Sequence, residues 1–168
     1  MKKMILFAFL GIFALETQAQ NAKPSPAMSA ENDIFKITYG APSKKGRDIY
    51  GGLVPYNAVW RTGANEATEI TFKKDVDFGG KMVKAGTYTL FTIPTATEWT
   101  VILNPELKQW GAYGYDKIKD KNVAEIKVTP SMTNDLQEVF TIKANPKGFD
   151  IIWDKTKVSV PVMVSPAK

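Results

Sequence analysis

Residues 157–164 read Lys-Val-Ser-Val-Pro-Val-Met-Val. Val158, Val160, Val162 and Val164 recur at every second position, with Lys157, Ser159, Pro161 and Met163 between them. A period of two places alternate side chains on opposite faces of a strand. β-Branched residues also fit that pleated surface better than a helix. The stretch predicts a strand with its four valines on the core face. Pro161 has no N–H to give to a ladder, so the strand is expected at an edge or with a bulge.

The same rhythm runs back toward the N-terminus. Phe149, Ile151 and Trp153 share a face, and Asn145-Pro146-Lys147-Gly148 supplies the turn before them. Leu136, Phe140 and Ile142 form another apolar set, as do Ala124, Ile126 and Val128. Trp99, Val101 and Leu103 alternate with Thr100 and Ile102. Thr87–Ile93 is a dense run of β-formers closed by Pro94, and the tyrosine of Ala85-Gly86-Thr87-Tyr88 is placed to anchor a corner. Asp75–Phe78, Gly79-Gly80 and Lys81–Val83 read as a hairpin with a two-glycine turn. Ile70 and Phe72 oppose Glu69 and Thr71, while Phe35, Ile37 and Tyr39 alternate with Lys36 and Thr38. No window long enough for a stable helix carries a helical period. The fold class expected is all-β, an antiparallel β-sandwich of jelly-roll-like kind with about eight to ten strands.

The start of the chain reads differently. Lys2 and Lys3 precede an apolar run, Met4–Leu15, followed by the small residues of Thr17-Gln18-Ala19. That order is the order of a secretory signal, and the run is shorter than the roughly twenty residues of a membrane span. Residues 1–19 are therefore expected to be a signal peptide cleaved after Ala19, making the mature chain periplasmic or secreted. Cleavage leaves 149 of the 168 residues. Residues 20–32, small and polar with Pro24 and Pro26, are expected as a flexible leader. Residues 33–168 are expected as a single domain, large enough to bury a core. No transmembrane segment is expected in the mature chain.

Composition narrows the chemistry. The chain has no cysteine and no histidine. That removes cysteine nucleophiles, the Ser-His-Asp triad, and zinc or copper sites of the usual His/Cys kind. No metal and no cofactor is expected. Of 22 basic and 17 acidic side chains the signal takes two and one, leaving a balance of +4. The lysines are scattered rather than gathered in a stripe, so no nucleic-acid partner is expected.

Two segments break the strand rhythm. Residues 40–66 read GAPSKKGRDIYGGLVPYNAVWRTGANE, and residues 104–116 read NPELKQWGAYGYD. An irregular segment as long as the first is usually functional or disordered. The aromatic residues of both segments predict that the two are packed and that they meet.

The stretches ITYGAPSKKGRDIYGGLVPYNAVWRTGANEATEITF, KAGTYTLFTIP, EWTVILN, QWGAYGYD and WDKTKVSVPV together resemble a bacterial family known as domain of unknown function 2911. The resemblance spans nearly the whole expected domain. It implies an exported or envelope β-rich domain and carries no reaction, ligand or catalytic residue with it.

Candidate site residues come from the irregular segments. The only two arginines, Arg47 and Arg61, both lie in the first. An arginine fork suits a carboxylate or phosphate. Trp60, Arg61, Asn65 and Glu66 read as a recognition cluster in which Arg61 grips an anion and Asn65 orients it. The alternative is an Arg61–Glu66 pair that pins the loop. Trp110, Tyr113 and Tyr115 read as an aromatic platform or as core. Ser43-Lys44-Lys45-Gly46-Arg47 reads mainly as a solvated basic turn. The function expected is non-catalytic binding of a small molecule, glycan or envelope protein. One alternative is a hydrolase acting on carbohydrate, with Glu66, Glu69 and Asp116 as candidate carboxylates and an arginine beside them. The other is a structural or assembly role.

Overall fold

The strand patterning resolves, in a computed structural model, into ten strands in two antiparallel sheets. The structure describes residues 24–165, so the expected signal and the first residues of the expected leader lie outside the described residues. The larger sheet has the order β1 (Ala27–Glu31), β2 (Phe35–Gly40), β3 (Glu69–Phe72), β6 (Gly86–Ile93), β7 (Trp99–Asn104), β8 (Ala124–Val128). The smaller runs β5 (Lys81–Val83), β4 (Val76–Phe78), β10 (Gly148–Val164), β9 (Ser131–Asn145). Sequential neighbours pair throughout the larger sheet except where the β4–β5 hairpin crosses to the other layer. The helical elements among the described residues are two single 3-10 turns, Tyr115–Lys117 and Lys119–Lys121. No described helix is long and apolar enough to cross a membrane.

The core lies between the sheets. Phe35, Ile37 and Tyr39 enter it from β2, Ile70 and Phe72 from β3, and Trp99, Val101 and Leu103 from β7. Phe140, Ile142, Phe149, Ile151 and Trp153 meet them from the smaller sheet. Rings from opposite layers interlock edge to face, as with Phe35 on Phe149 (5.7 Å, 71°) and Tyr39 on Phe140 (5.6 Å, 82°), the arrangement that the ring quadrupole favours. The two-glycine turn is as expected: Phe78 pairs with Lys81, and Gly79 and Gly80 take positive φ of 57° and 90°, which favours glycine. Tyr88 anchors its corner by donating to the Lys84 carbonyl (3.0 Å).

Several expectations are corrected. Ala27–Glu31 is an edge strand, not flexible leader. It pairs with β2 from Ala27 opposite Gly40 to Glu31 opposite Lys36, and Ala30 is buried. Pro24 and Pro26 precede the strand, and Pro26 uses the group a proline retains, its carbonyl accepting from Ala41 N–H (2.9 Å). β10 is not an edge, since it pairs with both β4 and β9, and its register shifts fall between Ile152 and Thr156. It folds back at Asp154, whose φ is +56°. Ser159 Oγ then reaches Asp150 (2.6 Å), and Val162 N–H donates to the Lys147 carbonyl (3.0 Å). The Pro161 nitrogen consequently faces the β4 side, one residue past the last pair of Val162 with Phe78, where Gly79 turns β4 away. Its missing N–H leaves no ladder bond unmade. Val158, Val160 and Val162 are buried, whereas Val164, beyond the core, is 47% exposed. Leu136 is exposed too, because it falls in the second irregularity of β9, between the Gln137–Asp154 and Met132–Thr156 pairs.

The outer face of the larger sheet is also covered. Phe91 and Ile102 point away from the sandwich interior yet are buried with Ala67 and Tyr115, and Val59, Ala112 and Ile118 pack against them. This explains why Thr87–Ile93 is apolar on both sides. The cover is built from the two irregular segments and the 3-10 turns that follow the second.

Candidate functional site

The two irregular segments join through backbone hydrogen bonds. Ala67 N–H donates to the Gln109 carbonyl (2.8 Å), Gly111 N–H to the Asn65 carbonyl (3.2 Å), and Glu66 bridges Trp110. The first segment is also fixed to the sheet, because Trp60 exchanges both backbone bonds with Thr92 (2.7 and 3.0 Å). Strand alternation then sends the Trp60 ring inward. It is 8% exposed and stacks on Trp153 (6.2 Å, 15°), with Tyr50, Trp99 and Phe140 edge-on around it. Its indole N–H donates to the Gly63 carbonyl (3.2 Å). Trp60 is thus a core residue that shows one edge to a cavity. Beside it, burial and then the Asp154 charge push the Tyr50 phenol well above its ordinary pKa.

The turn after Trp60 is strained. Thr62 has φ of +55° and Asn65 of +64°, a region costly for a β-branched side chain. Buried contacts hold it there: Thr62 Oγ1 meets Thr92 Oγ1 (3.0 Å), and Thr68 Oγ1 donates to the Thr62 carbonyl (2.7 Å). Asn65 Nδ2 reaches forward to the Ser25 carbonyl (3.0 Å).

This turn sets Arg61 against a cavity of about 340 Å3, whose walls include Trp60, Asn65 and Trp153. Arg47 lines the same cavity. The expected solvated basic turn is therefore also a wall. Arg47 is braced by its own loop, Nε donating to the Lys44 carbonyl (2.9 Å) and Nη2 to that of Ser43 (2.6 Å). A guanidinium has five N–H donors, so most of its capacity remains for a ligand. Arg61 Nε is buried and has no hydrogen-bond partner among the described residues. No Arg61–Glu66 pair forms there, and no carboxylate side chain lines the cavity among the described residues. Convergence of both arginines was foreshadowed by their sharing one segment. The contribution of Pro24 and Ser25 to the wall was hidden in the expected leader.

The aromatic residues of the second segment separate. Trp110 is 64% exposed and lines a different hollow, of about 520 Å3, with Glu66, Glu69 and Lys108. Asn65 touches both spaces. Trp60, Arg61 and Trp110 therefore do not share one pocket, because the Glu66–Trp110 bridge closes the sheet's cover between them. Tyr113, 86% exposed, lines neither space. Tyr115 is buried on Phe91 (5.1 Å), and its hydroxyl accepts from Asn122 Nδ2 (2.8 Å). Burial raises its pKa, while that hydrogen bond opposes the rise. It supports the segment from below and is no wall of either space.

The carboxylates of the β4–β5 hairpin and of the second segment have partners of their own. Asp77 accepts the Gly80 N–H (2.5 Å) and Asp75 that of Ala85 (2.9 Å), which are turn contacts. Asp116 is paired with Lys119 (3.3 Å). Among the described residues no group of three or more His, Cys, Asp or Glu side chains is arranged to hold a metal ion.

No curated protein and no solved structure matches the chain. One family model does, over residues 23–162, described as "Protein of unknown function (DUF2911)". That span contains both cavities and nine of the ten strands whole. The chain belongs to this DUF2911 family.

Proposed function

We propose that the protein works outside the cytoplasm as a non-catalytic binding domain, and that its ligand is a small organic anion held between Arg47 and Arg61. The observation that carries this reading is that Arg61, whose buried Nε has no partner, lines a cavity free of carboxylates among the described residues. A buried donor left unsatisfied costs about 1–3 kcal/mol, which the side chain recovers by turning toward an arriving acceptor. A carboxylate or phosphate group is the natural counterpart of two convergent guanidiniums. Export is supported by the order of Lys2-Lys3, the apolar run and Thr17-Gln18-Ala19.

The test is a thermal-shift and calorimetric screen with dicarboxylates, tricarboxylates and phosphomonoesters at low ionic strength. At least one should raise the melting temperature, with binding that weakens as salt is added. Arg61→Ala should weaken that binding by about 1–3 kcal/mol while leaving the fold intact. If no compound in these classes binds and Arg61→Ala instead lowers stability, Arg61 is a structural pin and the reading is wrong. Intact-mass measurement of the native protein tests export, with a chain beginning at Gln20 as the expected product.

A further inference from the structure

We infer that the hollow beside Trp110 is a second binding site, independent of the arginine cavity, and that it takes a neutral pyranose chain. The other three tryptophans of the chain, Trp60, Trp99 and Trp153, are buried in the core, and only Trp110 is turned out to solvent. Its exposure does not come from a loose backbone. Gln109 and Gly111 on either side are bonded to Ala67 and Asn65, and Gly111 takes φ of +69°. The indole is therefore presented from a fixed frame, which lowers the ordering cost of using it.

The space it faces has the chemistry of a sugar site. A flat indole stacks on the C–H face of a pyranose ring. Around it stand acceptors for hydroxyl groups, namely the exposed Glu66 and Thr38 and the half-buried Glu69. Glu69 Oε1 accepts the Lys108 N–H (2.9 Å), which orients the carboxylate and leaves its second oxygen for a ligand. Hydroxyl donation to a carboxylate is charge-assisted and short. A hollow of about 520 Å3 is within the range of small-ligand sites. Two carboxylates against the single ammonium of Lys108 disfavour a polyanionic glycan, hence the neutral class. A protein-contact patch would be poor in charge at its centre; this one is concave and carries Glu66, Glu69 and Lys108 in its wall.

The test is native gel electrophoresis of the whole chain through gels containing glucomannan, xylan or mixed-linkage β-glucan, with a non-binding reference protein. At least one of these should retard the protein. Trp110→Ala should weaken that retardation at least tenfold, Trp110→Phe less, and Arg61→Ala should leave it unchanged. Sedimentation and melting of each variant should match the parent, since the side chain is exposed. Absence of retardation on all three polysaccharides would overturn the inference, as would retardation indifferent to Trp110→Ala. A change in self-association with Trp110→Ala, in place of a change in retardation, would assign the ring to a protein contact and equally overturn it. None of these outcomes bears on anion binding at Arg61.

Discussion

Replacing Trp60 by alanine separates a core residue from a ligand wall. The indole is surrounded by Phe140 at 5.3 Å, Tyr50 at 6.1 Å, Trp99 at 6.2 Å and Trp153 stacked at 6.2 Å. Truncating a buried tryptophan costs roughly 3–5 kcal/mol through lost transfer energy and the void left behind. The Gly63 carbonyl also loses its indole donor, adding about 1 kcal/mol. The sum, about 4–6 kcal/mol, is comparable with the whole stability of an ordinary domain. At ~2.1 cal/mol/K per residue, the described domain unfolds with an entropy of about 0.3 kcal/mol/K. The melting temperature should therefore fall by about 13–20 °C. Trp60→Phe keeps a ring in the cluster and loses the hydrogen bond and some area, so about 3–7 °C is expected. Near-ultraviolet circular dichroism during heating reads both, because it follows the packing of these rings. A fall of less than about 5 °C in Trp60→Ala would refute the assignment of this ring to the core.

Two further substitutions test the frame around the site. A Cβ at Gly40 would lie 2.1 Å from the Ala64 carbonyl oxygen and 2.9 Å from its carbon, so Gly40→Ala must push the 61–65 turn off β2. A loss of about 1–3 kcal/mol is expected in urea melts, and an unchanged midpoint would contradict the close approach of strand and turn. The hydrogen bond from Lys84 Nζ to Asp75 (2.8 Å) and that from Ala85 N–H hold the Asp75 carboxyl below its ordinary pKa. A carboxyl depressed in the folded state stabilises above its unfolded pKa near about 4, and that contribution disappears as pH falls through the folded value. Asp75→Asn should lower the melting temperature slightly at pH 7, since both groups are exposed and screened, and the two proteins should converge by about pH 2. A gap that stays constant down to that pH would exclude the ion pair as its source.

Periodicity made the interior legible. Val158, Val160, Val162, Phe149, Ile151, Trp153 and the sets in β2, β3 and β7 are buried as the alternation requires, because burial of one sheet face is what a period of two encodes. It failed at Val164 and Leu136 for reasons outside the local pattern: one lies past the end of the core, the other at a slip of register. The edge strand Ala27–Glu31 was missed because AMSAE offers one buried side chain, Ala30, and is held by backbone pairing that any sequence without an internal proline can supply. At the site, the meeting of the two irregular segments followed from their aromatic content. The division into two spaces did not, since it depends on which residue pairs with Trp110, a long-range backbone choice with no local signature. The inward turn of Trp60 depends likewise on its pairing with Thr92.

The doubling back of β10 bears on when the chain can fold. Phe149, Ile151, Trp153, Val158, Val160 and Val162 all come from residues 148–162, late in the chain. Until they arrive, the layer opposite β2, β3, β6 and β7 lacks the strand that joins β4 to β9, and the rings it would cover lie open to water. Phe35 must wait for Phe149, more than a hundred positions later, to find the ring it packs against. Contacts so distant close slowly, because the loop entropy is spent before the contact returns anything. Closure of the two layers is therefore expected to wait for this last strand. Until then, edges and rings left without partners are open to a holding chaperone or to aggregation.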